Sequence, residues 1–269
     1  MTGAKAKSDL PVRAAAGVVM IGVALAAIYY GGLSFRLLVG IAGAIMLVEW
    51  CDMHRARRAW PLVSIALLTA LLWILAPALL PSVQYDGEPA QRIWYGFAAA
   101  AGGASALGVA GRSLRLGWGF LYIAVPSFAL LVLNWLSWEA VLWAMVVTWA
   151  TDVFAYFAGR SIGGPKLAPR ISPNKTWAGL IGGMIGAGIL GAVLAAALST
   201  DPILLFLGAP MGLLAQLGDL YESAVKRRAG VKDSGSLLPG HGGVLDRLDG
   251  LLPVIVATLA VVALRSGAA

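Results

Sequence analysis

The sequence predicts an all-α polytopic integral membrane protein of about nine transmembrane helices, with its polar loops gathered on the cytoplasmic side. Three observations predict it. Of 269 residues, 59% are hydrophobic and 12% charged, at a mean hydropathy of +0.83, whereas about a quarter of the residues in soluble domains are charged. Apolar runs of about 20 residues, the length that crosses a hydrocarbon layer roughly 30 Å thick, recur along the whole chain. Lys and Arg concentrate in alternate connections between those runs.

The runs are Val12–Tyr29, Leu33–Trp50, Leu62–Leu80, Ile93–Ala110, Leu116–Leu133, Trp138–Ala158, Trp177–Leu198, Pro202–Leu217 and Gly250–Leu264. The first is too long, and too soon followed by another, for a cleaved signal peptide. Gly31-Gly32 allows a tight turn into the second. The fourth is diluted by Gly and Ala, and the eighth is short. Several Trp residues, among them Trp50, Trp60, Trp118, Trp135, Trp138 and Trp177, fall near run ends, as an interfacial aromatic belt requires.

Nine spans put the termini on opposite sides and collect 17 of the 20 Lys and Arg residues on one of them. That side is the cytoplasm by the positive-inside rule. The pI of about 9.8 therefore reads as topology and attraction to anionic lipid, and gives no reason to expect nucleic acid. Three parts follow: a short cytoplasmic arm over 1–11, a first membrane part over 12–150, and a second over 151–269 that carries two polar segments, 152–176 and 218–249.

Several chemistries are excluded. Cys51 is the single cysteine, and His54 and His241 are the two histidines, which rules out an intramolecular disulfide and a thiolate or His-rich zinc site. Gly186–Gly191 spells G-x-G-x-x-G, but it lies inside an apolar run with no strand before it. Gly179/Gly183 and Gly182/Gly186, four apart, instead mark a face for close helix packing. No Walker loop, G-x-S-x-G elbow or H-E-x-x-H is present.

The segment Gly218–Asp249 packs five acidic and five basic residues into 32 positions of an otherwise apolar half. Asp219, Glu222, Ser223 and Lys226 share one face if the eighth helix continues. Pro239-Gly-His241-Gly242-Gly243 makes a tight loop, and Asp246 and Asp249 stand one helical turn apart beyond it, with Arg247 between. Carboxylates without Cys or clustered His are hard ligands suited to Mg²⁺. Lys and Arg suit phosphate oxygens, and glycine backbone can approach an anion. Phosphoryl or nucleotidyl transfer asks little else of a protein. Lys232 and Asp233 serve equally well as solvated surface charges, as exposed pairs are common and weak. Asp219 and Asp246 are different, since ionisable groups at the membrane edge are functional by default. Ser223 and His241 could spell a nucleophile and its base, but nothing orients that pair. Hydrogen bonding or packing by the Ser223 hydroxyl is the preferred reading.

The string Ser223-Ala-Val-Lys226-Arg227, Lys232-Asp233-Ser-Gly, Pro239-Gly-His241-Gly-Gly-Val-Leu-Asp246-Arg247-Leu-Asp249 resembles the signature of phosphatidate cytidylyltransferases, the CDP-diacylglycerol synthases. Gln216-Leu-Gly-Asp219-Leu fits it too, as does the upstream stretch from Thr151-Asp152 to Ser172-Pro173-Asn174-Lys175-Thr176. Ala178 and Gly250 stand where relatives often carry Glu or Gln, and Ser. The resemblance implies an enzyme of the bacterial inner membrane that transfers CMP from CTP to phosphatidic acid in phospholipid biosynthesis. It implies Mg²⁺ and allows K⁺ as a second cation and a homodimer as the assembly.

Carried over by position, Asp219 and Asp246 bind metal, and Asp249, Lys226, Arg247 and His241 complete the catalytic set. Lys166, Arg170 and Lys175 close the site from upstream, and Arg227, Ser223, Asp152, Gly242 and Gly243 also contact substrate. Two other readings stand beside this one. A polyprenol or dolichol kinase-like enzyme would place a nucleotide and a lipid alcohol at such a segment. A transporter would place its charges near mid-membrane on broken helices, whereas here they collect at one edge.

Overall fold

A computed structural model describes residues 10–75, 89–237 and 242–266. The elements are α1 (Leu10–Tyr30), α2 (Gly32–Met53), α3 (Ala59–Ala70), α4 (Pro89–Ala110), α5 (Leu114–Leu136), α6 (Trp138–Ser161), β1 (Lys166–Ala168), β2 (Ser172–Thr176), α7 (Trp177–Ala197), α8 (Leu204–Ala229), α9 (Leu245–Leu248) and α10 (Leu251–Ser266). Among the described residues, six helices, α2 and α4 to α8, are long and apolar enough to cross a membrane. Shorter apolar helices stand at 17–30, 59–75 and 251–266, where the first, third and ninth runs fall. The architecture is an all-α polytopic membrane fold with one small antiparallel hairpin, β1–β2.

Three boundaries differ from those expected. The sixth helix runs three residues past the expected Ala158 to Ser161, so the start of the polar segment counted from Asp152 is helical and the connection proper begins at 162. Its last turns still have a membrane face, because Val153, Phe154, Tyr156 and Phe157 point outward. The eighth helix does not stop at Leu217 but continues to Ala229, taking Asp219, Glu222, Ser223 and Lys226 with it. Lys226, Arg227 and Arg228 in its last turn complement the helix dipole, and Gly230, at φ 77°, closes it with N–H bonds to the carbonyls of Arg227 and Lys226. Asp246 lies on the separate four-residue helix α9, and Asp249 caps its C-terminal end.

The hairpin was not expected, and local chemistry explains it. Pro165, Pro169 and Pro173 bar a helix through this stretch. Gly163 and Gly164, at φ 68° and 93°, turn the chain where an L side chain would be strained. Thr176 ends β2 and caps α7, its Oγ1 accepting from the Gly179 N–H at 3.1 Å.

Small residues set the packing of α6, α7 and α8, the tightest group of the bundle. A Cβ on Gly182 would overlap Ala158, one on Gly186 would fall inside the Phe154 ring, and Gly191 faces Gly208. The glycines of the seventh helix are thus a packing face, as their four-residue spacing predicts. Trp143 of α6 and Phe128, Ile123 and Leu133 of α5 are fully buried. The third run ends among the described residues in a π-helical turn, Leu71–Leu75, and its remainder lies outside them. Buried Arg36 donates to the Leu72 carbonyl of that turn at 2.9 Å and stacks over Trp73. A wide turn leaves a carbonyl available, and a buried guanidinium needs one.

Candidate active site at one end of the bundle

The second half of the chain brings most of its charges to one end of the bundle, the Arg265–Asp201 pair apart. A cavity of about 540 Å³ opens there between α6, β2, α7 and α8, and Asp152, Asn174, Lys175, Thr176, Gln216 and Asp219 are among the residues that line it. That volume suits a small-molecule ligand. Lys175, carried by β2, pairs with Asp219 of α8 at 2.6 Å, and Ser223 one turn on donates to Asp219 at 3.2 Å. Residues 44 positions apart in sequence thereby form one wall. The Ser223 hydroxyl is engaged with a carboxylate, as its preferred reading holds.

Asp246 is held from several sides. Its Oδ1 accepts from Lys226 Nζ at 2.6 Å, and the Ser234 N–H reaches both oxygens at 3.1 and 3.0 Å. The Gly243 N–H donates to Oδ2 at 2.8 Å. Burial alone would push the pKa of this carboxyl up, but the Lys226 ammonium and the Gly243 and Ser234 N–H groups outweigh it and hold Asp246 below the usual carboxylate range. Gly242, at φ 83°, makes the turn that wraps the loop onto Asp246. Gly243 permits its close approach, since a Cβ there would strike Ser234 Oγ and Glu49. Both glycines thus have an architectural duty beside the substrate contact expected of them. His241 lies outside the described residues.

Two acidic residues matter more than the sequence suggested. Glu222 has no solvent exposure and stands 2.5 Å from Lys226 Nζ. Lys226 therefore bridges Glu222 and Asp246, and Glu222, which the sequence places only on the face shared with Asp219 and Lys226, is a buried anchor of the arrangement. Glu49, near the C-terminal end of α2, was not singled out at all. Its Oε1 accepts from the Val244 N–H at 2.8 Å, and its Oε2 accepts from the Leu245 N–H at 2.9 Å and from Ser234 Oγ at 3.3 Å. A carboxylate in the apolar run Leu47-Val48-Glu49-Trp50 was the available signal. Its partners, nearly 200 residues away, were not legible.

Asp249 is raised well above the usual range, first by burial and then by the charges of Asp219, Glu222 and Asp152, with only the Gly250 N–H opposing. Asp152, Asp219 and Glu222 thus stand within electrostatic reach of Asp249, and their proximity opposes its ionisation. Among the described residues no three Asp, Glu, His or Cys side chains stand close enough to cage a metal ion.

The remaining expected residues are placed unevenly. Arg227 ties the end of α8 to the hairpin by donating to the Ile171 carbonyl at 3.4 Å, and also to that of Val231 at 3.2 Å. Lys166 and Arg170 are exposed on the hairpin and do not line the cavity. Arg247 is exposed on α9, within electrostatic reach of Asp152. Lys232 and Asp233 are exposed, in keeping with solvated charges.

A polytopic helical bundle with a ligand-sized cavity and lysine–carboxylate pairs at one end defines a membrane protein equipped to handle phosphate compounds. The chain belongs to the cytidylyltransferase family, whose model matches residues 11–265. A phosphatidate cytidylyltransferase of Brucella abortus is 36% identical over 257 residues, covering 91% of this chain and 90% of the relative. One from Pseudomonas aeruginosa is 42% identical over 55% of this chain and 58% of its own length. One from Bacillus subtilis reaches 50% identity over 43% of this chain and 44% of its own length.

Proposed function

We propose that the chain is a CTP:phosphatidate cytidylyltransferase, transferring CMP from CTP to phosphatidic acid to yield CDP-diacylglycerol and pyrophosphate. The observation that carries this reading is the pair of lysine–carboxylate contacts, Lys175–Asp219 and Lys226–Asp246, at one end of a membrane bundle of this family. A phosphate oxygen of phosphatidate attacks the α-phosphorus of CTP, the bond to the β-phosphate bridging oxygen breaks, and pyrophosphate leaves. The attacking phosphate is already largely ionised at neutral pH, its second pKa being about 6, so no side chain need act as general base.

The donor set fits Mg²⁺, which is usually held by one or two carboxylates with substrate phosphates and water completing its shell. Each of Asp219 and Asp246 already accommodates a cation, in the form of a lysine ammonium. In this reading Asp219 and Asp246 would hold the ion once their lysines had turned to phosphate, and a cation bound there would favour the ionised forms of the neighbouring Asp152 and Asp249. Bound Mg²⁺ supplies charge neutralisation on the triphosphate. Lys175 and Lys226 then act as point charges on phosphate oxygens, Arg247 serves as a planar fork, and Glu222 keeps Lys226 in place. Lys166, Arg170 and His241 would approach the triphosphate from the hairpin and the glycine loop.

The skew of basic residues supports a cytoplasm-facing site in the bacterial inner membrane. K⁺ as a second cation and a homodimer complete the reading. Mg²⁺-dependent pyrophosphate release from CTP that requires added phosphatidate tests the reaction. Equal release with a lipid alcohol in its place would favour a kinase-like enzyme. Crosslinking in native membranes tests the dimer.

A further inference from the structure

Five arginines at the same end of the bundle serve none of the chemistry above. Arg55 and Arg57 lie in the α2–α3 connection, Arg112 in the α4–α5 connection, Arg115 in the first turn of α5, and Arg228 in the last turn of α8. They border two adjoining cavities of about 510 and 300 Å³, which share His54 and Arg115. No Asp or Glu lines either cavity, and none of the five arginines forms an ion pair among the described residues. Glu49 binds the Asp246 loop from the end of α2, which places this basic groove on the same side of the bundle as the charged segment 218–249, the cassette.

The backbone reinforces the charge. Arg55 and Arg112 occupy the left-handed region, at φ 52° and 48°, one in each connection. That conformation is uncommon for a residue with a long side chain, and it persists where the surroundings hold it. The N-termini of α3 and α5 both begin beside the larger cavity, and neither is capped by a side chain. Helix N-termini favour negative charge. Part of the wall is apolar. Trp118 and Leu114 are 51% and 89% exposed at the outer face of α5, and Trp60 lines the other side. Unpaired guanidinium groups beside an open Trp and Leu wall suit a ligand with a phosphate head and an apolar body, held where membrane meets water.

We propose that this groove is a second anionic site, which binds the phosphate head group of an anionic phospholipid separately from the cassette. Positive-inside topology accounts for arginines on this side, but it does not require them to converge on two joined cavities in which no carboxylate answers them.

Native mass spectrometry of the full chain, extracted from nanodiscs that mix phosphatidylglycerol with phosphatidylcholine, reads the site directly. Wild-type protein is expected to retain phosphatidylglycerol selectively. Combined Arg57→Gln, Arg112→Gln and Arg115→Gln should lower that retention about tenfold or more, as each basic group near an anionic surface contributes appreciably. Replacement of the same three by Lys should restore most of it, which separates lost charge from lost folding. Arg265→Gln, at the far end of the bundle, should change nothing. Undiminished retention in the triple Gln variant, or an equal drop in the Arg265 variant, would overturn the proposal. So would inorganic phosphate displacing the lipid at equal concentration, since the site would then be one for a free anion.

Discussion

Two polar regions share one end of this bundle, and they handle charge in opposite ways. Around α8 and α9, two lysines have carboxylate partners: Lys175 of β2 meets Asp219, and Lys226 of α8 meets Glu222 and Asp246. In the groove between the ends of α2 to α5 and the last turns of α8, five arginines line cavities whose lining holds no Asp or Glu. Paired charges in a half-buried setting can be exchanged, because a cation and its carboxylate can each take a new partner when a charged ligand arrives. Unpaired charges can only attract. The contrast separates a place where bonds are rearranged from a place where something is held.

The sharpest way to break the comparison is to remove an exchangeable carboxylate. Asp219→Asn or Asp246→Asn should lower phosphatidate-dependent pyrophosphate release by about a hundredfold or more, beyond the loss usual for groups that merely support a metal ligand. Membrane insertion should persist, as judged by extraction and gel filtration. Near wild-type turnover in either variant would remove that carboxylate from the metal assignment.

Glu222→Ala comes next. It leaves Lys226 buried with half its partners, and truncating one member of a buried pair costs roughly 3–5 kcal/mol. A clearly lowered melting temperature in detergent is expected, with a smaller loss for Glu222→Gln. An unshifted melt would mean that Asp246 alone suffices for Lys226.

Glu49→Gln should have a milder effect, since it weakens charge-assisted bonds to Val244 and Leu245 without removing the side chain. Such bonds are worth about 1.5–3 kcal/mol each. Faster proteolysis of the 230–244 stretch, with turnover reduced but measurable, is the expected result. The smallest effect should come from Lys232→Ala and Asp233→Ala. Both side chains are exposed, and less than about a twofold change in rate would place them with ordinary surface charges.

Much of this was readable in one dimension. The apolar runs placed the helices, the four-residue glycine spacing marked the tight face of α7, and the density of charge between 218 and 249 marked the cassette. What escaped was whatever depends on depth or distant pairing. Helical periodicity put Glu222 on the same face as Asp219 and Lys226, but it could not show that this face turns inward at 222. The sixth run, read to Ala158, already contained Asp152 although the polar segment was counted from 152, and outward-facing aromatic residues carry α6 on to Ser161. Asp246 was legible as a functional carboxylate, but its grip by Ser234 and Gly243 depends on a loop whose folding Glu49 directs from the other half of the chain.

The junction at Thr176 bears on timing. Lys175 is the penultimate residue of β2, and α7 starts two positions later, with Thr176 as its cap and no linker between. Because α7 is seated glycine against α6, the backbone at 175 has little freedom to swing. The passage of Lys175 from Asp219 to a phosphate is then a matter of side-chain torsions, which reorient in picoseconds to nanoseconds, and not of loop closure in microseconds or longer. The clock of such an enzyme would be set elsewhere, by lipids exchanging sideways through the membrane.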